Sequence, residues 1–422
     1  MKKIIISTFL VFVMAFYITG CKKVACGTNE VKGNNLMEKI EPNKISGLED
    51  LGEHNSKMTD FAVRLFNACN EDGKNTLISP ISVYSALAMT TNGADAGTLE
   101  QMEKVLGMTA EEMNLYFYSY MNKLPQTEKY KLSLANSIWF TDDDRFTVNK
   151  DFLQINGDYY GSDIYKAPFS TETLNNINEW VKNKTDGMIP KILEEISDGA
   201  VMYLVNALAF NAEWAEIFDE DHVREGVFTD ENGNEQNVEF MYGKDHVYYE
   251  DEYATGFMKY YVDCKYGFVA LIPNEGVSVA DYVKTLNGES LNNMLNNPVH
   301  TTVYTSIPKF ETEYDVQMGG KLAKMGMPDA FDEYNANFSK LGTSEGRNIY
   351  IGSVTHKTFI SVGEKGTKAG AATVVEMVDG SAIEDPSDIK TVNLDRPFVY
   401  MIYETSTCKP LFIGTVVDLE AE

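Results

Sequence analysis

Helical spacing of the apolar residues marks the first half of the chain. Residues 80–91 are predicted to form a helix that is capped by Ser79 and has proline at its first position. The apolar residues of 58–69 lie on one predicted helical face: Phe61, Leu65, Phe66 and Cys69. Further helices are predicted over 98–106 and 109–121, and the second begins with the capping-box sequence Thr-Ala-Glu-Glu.

After residue 200 the pattern changes to runs of aromatic and β-branched residues bounded by Gly, Pro and Asn. Strands are predicted over 201–210, 238–249, 266–272, 299–310 and 349–362. Residues 398–403 and 411–417 are predicted to form a terminal hairpin. Helices followed by strands favour an α+β fold with mainly antiparallel or mixed sheets.

The segment 362–378 alternates with a period of two. One face consists of small residues followed by apolar ones: Thr367, Ala369, Ala371, Thr373, Val375 and Met377. The opposite face includes two charged residues, Lys368 and Glu376. A face of small residues suits entry into a packed sheet, and Gly366 and the small side chains favour flexibility. We therefore predict a mobile loop that can become a strand.

This segment resembles the hinge and reactive loop of the serpin family of protease inhibitors. Other segments resemble that family in its order, over roughly residues 55–420: 75–89, 132–140, 177–190, 204–214, 326–331, 356–357 and 395–398. The resemblance implies the serpin fold, with a helix-rich N-terminal half packed on three β-sheets. It also implies an exposed reactive loop at about 364–390, inside a domain that spans 51–422.

The resemblance implies an irreversible suicide-substrate inhibitor that is not itself an enzyme. The loop would be cut by a protease and would then insert into the main sheet, trapping the acyl-enzyme. The residues that match the inhibitory hinge pattern are Glu364, Gly366, Thr367, Ala369, Ala371, Ala372 and Thr373. The alternative is a non-inhibitory serpin that acts as a binding or carrier protein.

The position of the cut bond follows from the family's spacing between hinge and bond. That spacing selects Gly380–Ser381, which suits an elastase- or subtilisin-like serine protease. Bonds at Met377–Val378 and Asp379–Gly380 are alternatives, and papain-type cysteine proteases are an alternative target class. No cofactor or metal is implied, and a monomer is expected.

The resemblance assigns other residues to the opening of the sheet. His356, Asn206, Ser79 and Ser82 would form a hydrogen-bonded polar cluster, the shutter, under the centre of the main sheet. Trp214 lies where the family's sheet first opens, the breach. These roles concern conformational change and make or break no covalent bond.

The N-terminus is predicted to be an export signal. Lys2 and Lys3 precede an apolar run over 4–18, too short to span a bilayer well. The run ends in a sequence that resembles a bacterial lipoprotein box, in which Cys21 would be lipidated; a plain secretory signal is the alternative. Residues 1–20 are thus read as the signal and 21–50 as a polar tether. The expected location is the bacterial cell surface, through a lipid anchor, or the medium.

Charge and cysteine content exclude several other classes. The net charge of −27 disfavours binding to nucleic acid, to heparin-like polyanions or to an anionic membrane surface. Apart from Cys21, the cysteines are scattered, so neither a disulfide framework nor a metal cluster is predicted: Cys26, Cys69, Cys264 and Cys408. The five histidines lack metal-ligand spacing.

One hydrolase-like motif is a weak competitor. Residues 342–346 match G-x-S-x-G, with Ser344 as the would-be nucleophile. That motif requires a strand before it and a helix after it. We predict a loop here instead, followed by a strand.

Overall fold

The computed structural model describes residues 34–124, 130–196, 201–346, 348–367 and 389–420. Within these ranges the chain forms nine α-helices and eighteen strands in three sheets. The helices are α1 (Gly52–Cys69), α2 (Pro80–Thr91), α3 (Ala96–Leu106), α4 (Ala110–Lys123), α5 (Lys150–Tyr160), α6 (Thr171–Lys184), α7 (Val279–Thr285), α8 (Gly288–Asn296) and α9 (Gly319–Met325).

The strands are β1 (Asn34–Asn35), β2 (Thr76–Ile78), β3 (Tyr130–Thr141), β4 (Phe146–Val148), β5 (Asp163–Ala167), β6 (Met202–Glu213), β7 (Val223–Thr229), β8 (Glu235–Glu250), β9 (Ala254–Tyr260), β10 (Tyr266–Pro273), β11 (Val299–Pro308), β12 (Phe310–Gln317), β13 (Gly342–Ser344), β14 (Ser353–Gly363), β15 (Gly366–Thr367), β16 (Lys390–Asn393), β17 (Phe398–Glu404) and β18 (Lys409–Val416). The seven-stranded sheet has the order β1-β5-β3-β6-β15-β14-β12. The nine-stranded sheet runs β16-β11-β8-β9-β10-β17-β18-β2, with β7 beside β8, and β13 pairs with β4.

Helix α2 explains how the two large sheets share one core. It contacts β3 and β6 of the seven-stranded sheet and β18 of the nine-stranded sheet. All twelve of its residues are buried, so none of its faces is exposed to solvent. Its first turn carries Ser79 and Ser82 to the underside of β6 and β14, where the predicted polar cluster lies.

Several predicted elements are confirmed. The helix over 80–91 has the predicted bounds, and Thr109 and Glu112 form the predicted capping box of α4. The strand predicted over 299–310 is confirmed over 299–308, but its predicted end is wrong, because the chain leaves the nine-stranded sheet after Pro308 and enters the seven-stranded sheet at Phe310. Residues 342–344, predicted as loop, form the short strand β13, and no helix follows in 348–352.

The N-terminal segment makes contacts that its polar composition did not predict. In the part that is described, Asn34 and Asn35 pair with Lys166 and Tyr165 at the outer edge of the seven-stranded sheet. The apolar residues that follow pack against the core: Leu36, Met37, Ile40 and Leu48. At Gly157 of α5, an added Cβ would lie only 2.7 Å from the Ile40 side chain. No helix among the described residues is both long and apolar enough to cross a bilayer.

Candidate functional site

The strand β15 lies between β6 and β14 at one end of the seven-stranded sheet. Thr367 pairs with Ala212 of β6 and with Val362 of β14, antiparallel to both. Gly366 has φ of +144°, and an added Cβ would lie 2.1 Å from the carbonyl oxygen of Ala212. Only glycine fits this close approach without strain. The predicted hinge residues Gly366 and Thr367 therefore stand between two strands of the sheet.

Below β15 the pairing between β6 and β14 is incomplete. The two strands pair directly, in parallel, from Ser353–Tyr203 to His356–Asn206. Between that register and β15, no pairing of 357–361 with 207–211 is present in the described structure. A cavity of about 940 Å³ borders this region and is lined by Asn211, Ser361 and the turn 363–366. A further strand could enter along this line by completing the ladder.

The turn that connects β14 to β15 is held at each of three successive carbonyls. The indole Nε1 of Trp214 donates to Gly363 O at 2.8 Å, and its backbone N–H donates to Lys365 O at 2.9 Å. The backbone N–H of Phe218 donates to Glu364 O at 2.9 Å. Trp214 also stacks on Tyr261 with ring centroids 4.5 Å apart, and the Tyr261 hydroxyl is hydrogen-bonded to the Thr367 hydroxyl.

The carboxylate of Glu364 has a charged partner. Lys309 forms salt bridges with Glu364 and, at 2.8 Å, with Glu239. Partial burial would raise the pKa of Glu364, but the hydrogen bond and charge of Lys309 outweigh it and lower that pKa. This ion pair fixes the hinge turn to the start of β12.

The four polar residues predicted to form a cluster do come together under the middle of this sheet. His356 accepts the backbone N–H of Ser79 at Nε2, 3.0 Å away, and Asn206 donates to Ser82 O at 2.8 Å. His356 and Asn206 are also direct register partners in β14 and β6. Ser79 is the N-terminal cap residue of α2, yet its hydroxyl makes no capping bond.

The cluster contains polar atoms that lack partners. Four side-chain atoms in it are buried without a hydrogen bond: Ser79 Oγ, Ser82 Oγ, Asn206 Oδ1 and His356 Nδ1. Burial also lowers the pKa of His356 to about 3, so the ring is neutral at physiological pH. Buried polar groups without partners each cost free energy, so the centre of the sheet is the less stable part of this site.

Several residues of this site were missed by the sequence reasoning. They are Asn136, which accepts from Asn206, and Phe218, Tyr261 and Lys309 at the hinge. Asn136 carried one usable signal in the sequence, since it is a polar residue within a strand-like run. In the structure it is the register partner of Asn206 in the β3–β6 pairing. The other three contacts join distant parts of the chain and leave no local pattern.

Some predicted residues cannot be placed. The segment 368–388 lies outside the described residues, and it includes Ala369, Ala371, Ala372, Thr373 and all the candidate cut bonds from Met377 to Ser381. Cys21 and Cys26 also lie outside them. Of the cysteines that are described, Cys69 and Cys408 are buried, Cys264 is exposed, and all three are free thiols.

A family model described as "Serpin (serine protease inhibitor)" matches residues 56–419, which is most of the chain. The chain belongs to the serpin family. Human serpin B8 is 30% identical over 381 residues, covering 87% of this chain and 99% of its own. A leukocyte elastase inhibitor from Xenopus laevis is 29% identical over 376 residues, covering 85% and 97%.

Solved serpin structures share the architecture. The thermophilic serpin tengpin in its native state is 48% identical, with a TM-score of 0.88 over 92% of this chain and 100% of that one. Tengpin in its latent state gives a TM-score of 0.78 at 45% identity, over 90% of this chain and 100% of that one. The predicted α+β serpin fold is confirmed.

Proposed function

We propose that this serpin is an irreversible suicide-substrate inhibitor of serine endopeptidases. The observation that supports it best is Thr367, which is buried between β6 and β14 at the head of the unpaired region. The strand that insertion would extend has thus already begun. Relatives that are named as protease inhibitors, among them the leukocyte elastase inhibitor, support the same function.

In this mechanism a protease attacks the segment after Thr367 as a substrate and forms an acyl-enzyme. The cut segment then follows β15 into the sheet between β6 and β14. From Gly366 to Gly380 there are fourteen residue steps, a travel of roughly 45 Å at about 3.3 Å per step. The enzyme, still esterified to the leading end, is carried along and its active site is deformed, so deacylation stalls.

Insertion is favourable because the uncut sheet is incomplete. Each inserted residue would gain ladder hydrogen bonds and would bury its side chain if it faces the core. The polar atoms without partners around His356 and Asn206 are in a position to gain partners as the strands rearrange. The uncut form is then a kinetically trapped state and the cut form is the more stable one.

The experiment mixes the full chain with elastase-, subtilisin-, trypsin- and papain-like enzymes and looks for a detergent-stable complex on a gel. If the protein is an inhibitor, we expect a complex with an elastase- or subtilisin-like serine protease in which this chain is cut at Gly380–Ser381. Clean cleavage without a complex would support the alternative of a non-inhibitory binding or carrier serpin. Melting of cut and uncut samples is a second readout, and equal melting temperatures would contradict the mechanism.

We also propose that the protein is exported from a bacterial cell and anchored through a lipid on Cys21. The apolar run over 4–18 and the sequence before Cys21 support this proposal. Metabolic labelling with a fatty acid is expected to mark the wild-type chain and to leave a Cys21→Ala variant unlabelled. Labelling of both would contradict a lipid on this residue.

A further inference from the structure

A buried charged pair lies between the two ends of the proposed reactive segment. Lys259 Nζ is 3.6 Å from Asp245 Oδ1, and the two side chains are only 4% and 8% exposed. Asp245 Oδ2 also accepts a 2.8 Å hydrogen bond from the Thr305 hydroxyl. Burying such a pair is costly, and apolar residues of similar size often give equal or better stability. The contacts that the Lys259–Asp245 pair makes on both sides indicate a role other than stabilising the fold.

On one side the pair reaches the hinge. The ammonium of Lys259 lies 4.4 Å from the centre of the Phe218 ring and 5.9 Å from that of Trp214. A desolvated cation is attracted to aromatic faces at such distances. These two residues donate all three hydrogen bonds that hold the turn 363–365. Lys259 therefore supports the residues that fix the N-terminal end of the segment.

On the other side the pair reaches β16, the first described strand after the segment. Thr305 is the register partner of Val392 in β16, and the Ser306 hydroxyl donates to Asn393 Oδ1 at 3.0 Å. Among the described strands, β16 pairs only with β11, so all of its ladder hydrogen bonds depend on β11. The bond from Thr305 to Asp245 fixes the inward face of β11 at the point where β16 is attached.

Gly243 allows the two sides to meet. It is the register partner of Thr305 in β8. An added Cβ would lie 2.8 Å from the Phe218 ring and 3.6 Å from the Thr305 hydroxyl. Because Gly243 has no side chain, the ring of the hinge residue Phe218 and the hydroxyl of the β11 residue Thr305 can both pack close to this position.

Chain length explains why β16 has to be held. Nine residue steps separate Ser381 from Lys390, and an extended chain of that length spans at most about 32 Å. That is less than the travel of roughly 45 Å that full insertion requires. An uncut segment can therefore enter the sheet along its whole length only if β16 leaves β11.

We propose that Lys259, Asp245 and Thr305 form a relay that couples the hinge turn to β16. While Trp214 and Phe218 hold the turn, the relay holds β11 and β16 in register, and loosening either end loosens the other. On the proposed inhibitory function, on which this part of the inference rests, the relay keeps the uncut segment from inserting before a protease arrives. These three are positioning residues, since none of them contacts the bond that is cut.

The test is hydrogen–deuterium exchange of the full uncut chain without any protease. Thr305→Val removes the bond to Asp245 at nearly constant volume. We expect about tenfold faster exchange of amides both in 390–394 and in 214–218, since a hydrogen bond to a charged group is lost. The matched control is Thr415→Val, a buried threonine of β18 that accepts the Thr76 N–H at 3.1 Å, and it is expected to change neither segment.

Faster exchange in 390–394 alone would show that the ends are not coupled, and no change in either segment would show that Thr305 does not hold β16. Both results would overturn the proposal. If Thr305→Val does not fold, the double variant Asp245→Leu with Lys259→Met removes both charges and the acceptor for the Thr305 hydroxyl together, and it carries the same expectation. The proposed function is tested separately by complex formation with a protease, because hydrogen–deuterium exchange of the uncut chain requires no inhibitory activity.

Discussion

The head and the centre of the seven-stranded sheet are built in opposite ways. At the head, the turn 363–365 has a donor for each carbonyl, and Glu364 has a cationic partner. At the centre, four buried polar atoms of the cluster around His356 have no partner. The head is therefore stabilised by hydrogen bonds that must break before the turn can move. At the centre, the burial of polar atoms without partners costs free energy, and new hydrogen bonds would recover it.

On the proposed insertion mechanism, this difference assigns separate tasks to the two regions. The well-bonded head sets a barrier, since nothing can enter the sheet until the contacts of Trp214 and Phe218 have given way. The unsatisfied centre supplies part of the driving force once entry begins. If the polar groups of both regions were hydrogen-bonded, the sheet would be stable and would not accept a further strand. If those of both regions lacked partners, the sheet would rearrange without any cut in the chain.

The largest expected effect is at the head, with Thr367→Arg. The arginine would be buried between β6 and β14 without a partner, at a cost of several kcal/mol. We expect a target protease still to cut the chain but the detergent-stable complex to disappear. Tyr334→Arg adds the same cation at a side chain that is 84% exposed, and it should leave complex formation intact. An unchanged yield of complex for Thr367→Arg would contradict the insertion mechanism.

The next largest effect is a pH dependence of the free energy of unfolding, which comes from His356 at the centre of the sheet. The pKa of His356 is about 3 in the folded chain and ordinary, near 6.5, when unfolded. Between these values the unfolded chain binds a proton that the folded chain does not. The apparent free energy of unfolding should therefore fall by up to about 1.4 kcal/mol per pH unit as the pH drops below 6.5.

Urea titrations between pH 7 and pH 5 measure this slope. In His356→Gln the His356 contribution to the slope should be absent, while the exposed control His300→Gln should keep it. Equal slopes for wild type and His356→Gln would mean that the ring is not held neutral by burial.

A smaller effect separates satisfied from unsatisfied hydroxyls. Ser82→Ala removes a buried hydroxyl without a partner, so we expect the uncut chain to be unchanged or stabilised by up to about 1 kcal/mol. Thr358→Val removes a buried hydroxyl that donates to Leu77 O at 2.7 Å, and it should cost about 1 kcal/mol. Thermal unfolding of the uncut chains gives both values. A Ser82→Ala variant as destabilised as Thr358→Val would contradict the view that the Ser82 hydroxyl is buried without a partner.

The smallest expected effect is at the ion pair of the hinge. Glu364 is 42% exposed, so Glu364→Gln should change the free energy of unfolding by less than about 1 kcal/mol. It should nevertheless raise hydrogen–deuterium exchange in 214–218, where the amides of Trp214 and Phe218 donate to the turn. Glu313→Gln removes a comparable partner of Lys357 on β12 and should leave that segment unchanged.

The sequence predicted elements with local signals and missed contacts without them. Helix α2 was predicted with its observed bounds because a proline at its first position and a mainly apolar sequence define it. The break between β11 and β12 was missed because both sides of Lys309 are equally strand-like. The central cluster was predicted only through the family resemblance, since nothing in the chain alone joins Ser79 to His356.

The hinge contacts show the same limit. Gly366 and Thr367 stand out through their small size, but the indole that holds the turn belongs to a residue 149 positions away. Phe218 and Tyr261 are aromatic residues among many in the strand-rich part, with no pattern that marks them. Such contacts depend on how the two large sheets meet, which no local periodicity encodes.

The short strand β1 has a mechanical consequence. Among the described residues, two register pairs join Asn34 and Asn35 to β5. A pulling force on the chain ahead of Asn34 would therefore peel this strand away before it loaded helix α1. Once the packing of its apolar side chains on the core were also broken, the stretch 34–50 would span at most roughly 60 Å when fully extended. The segment would therefore absorb an initial pull from the N-terminal side before the sheets carried any load.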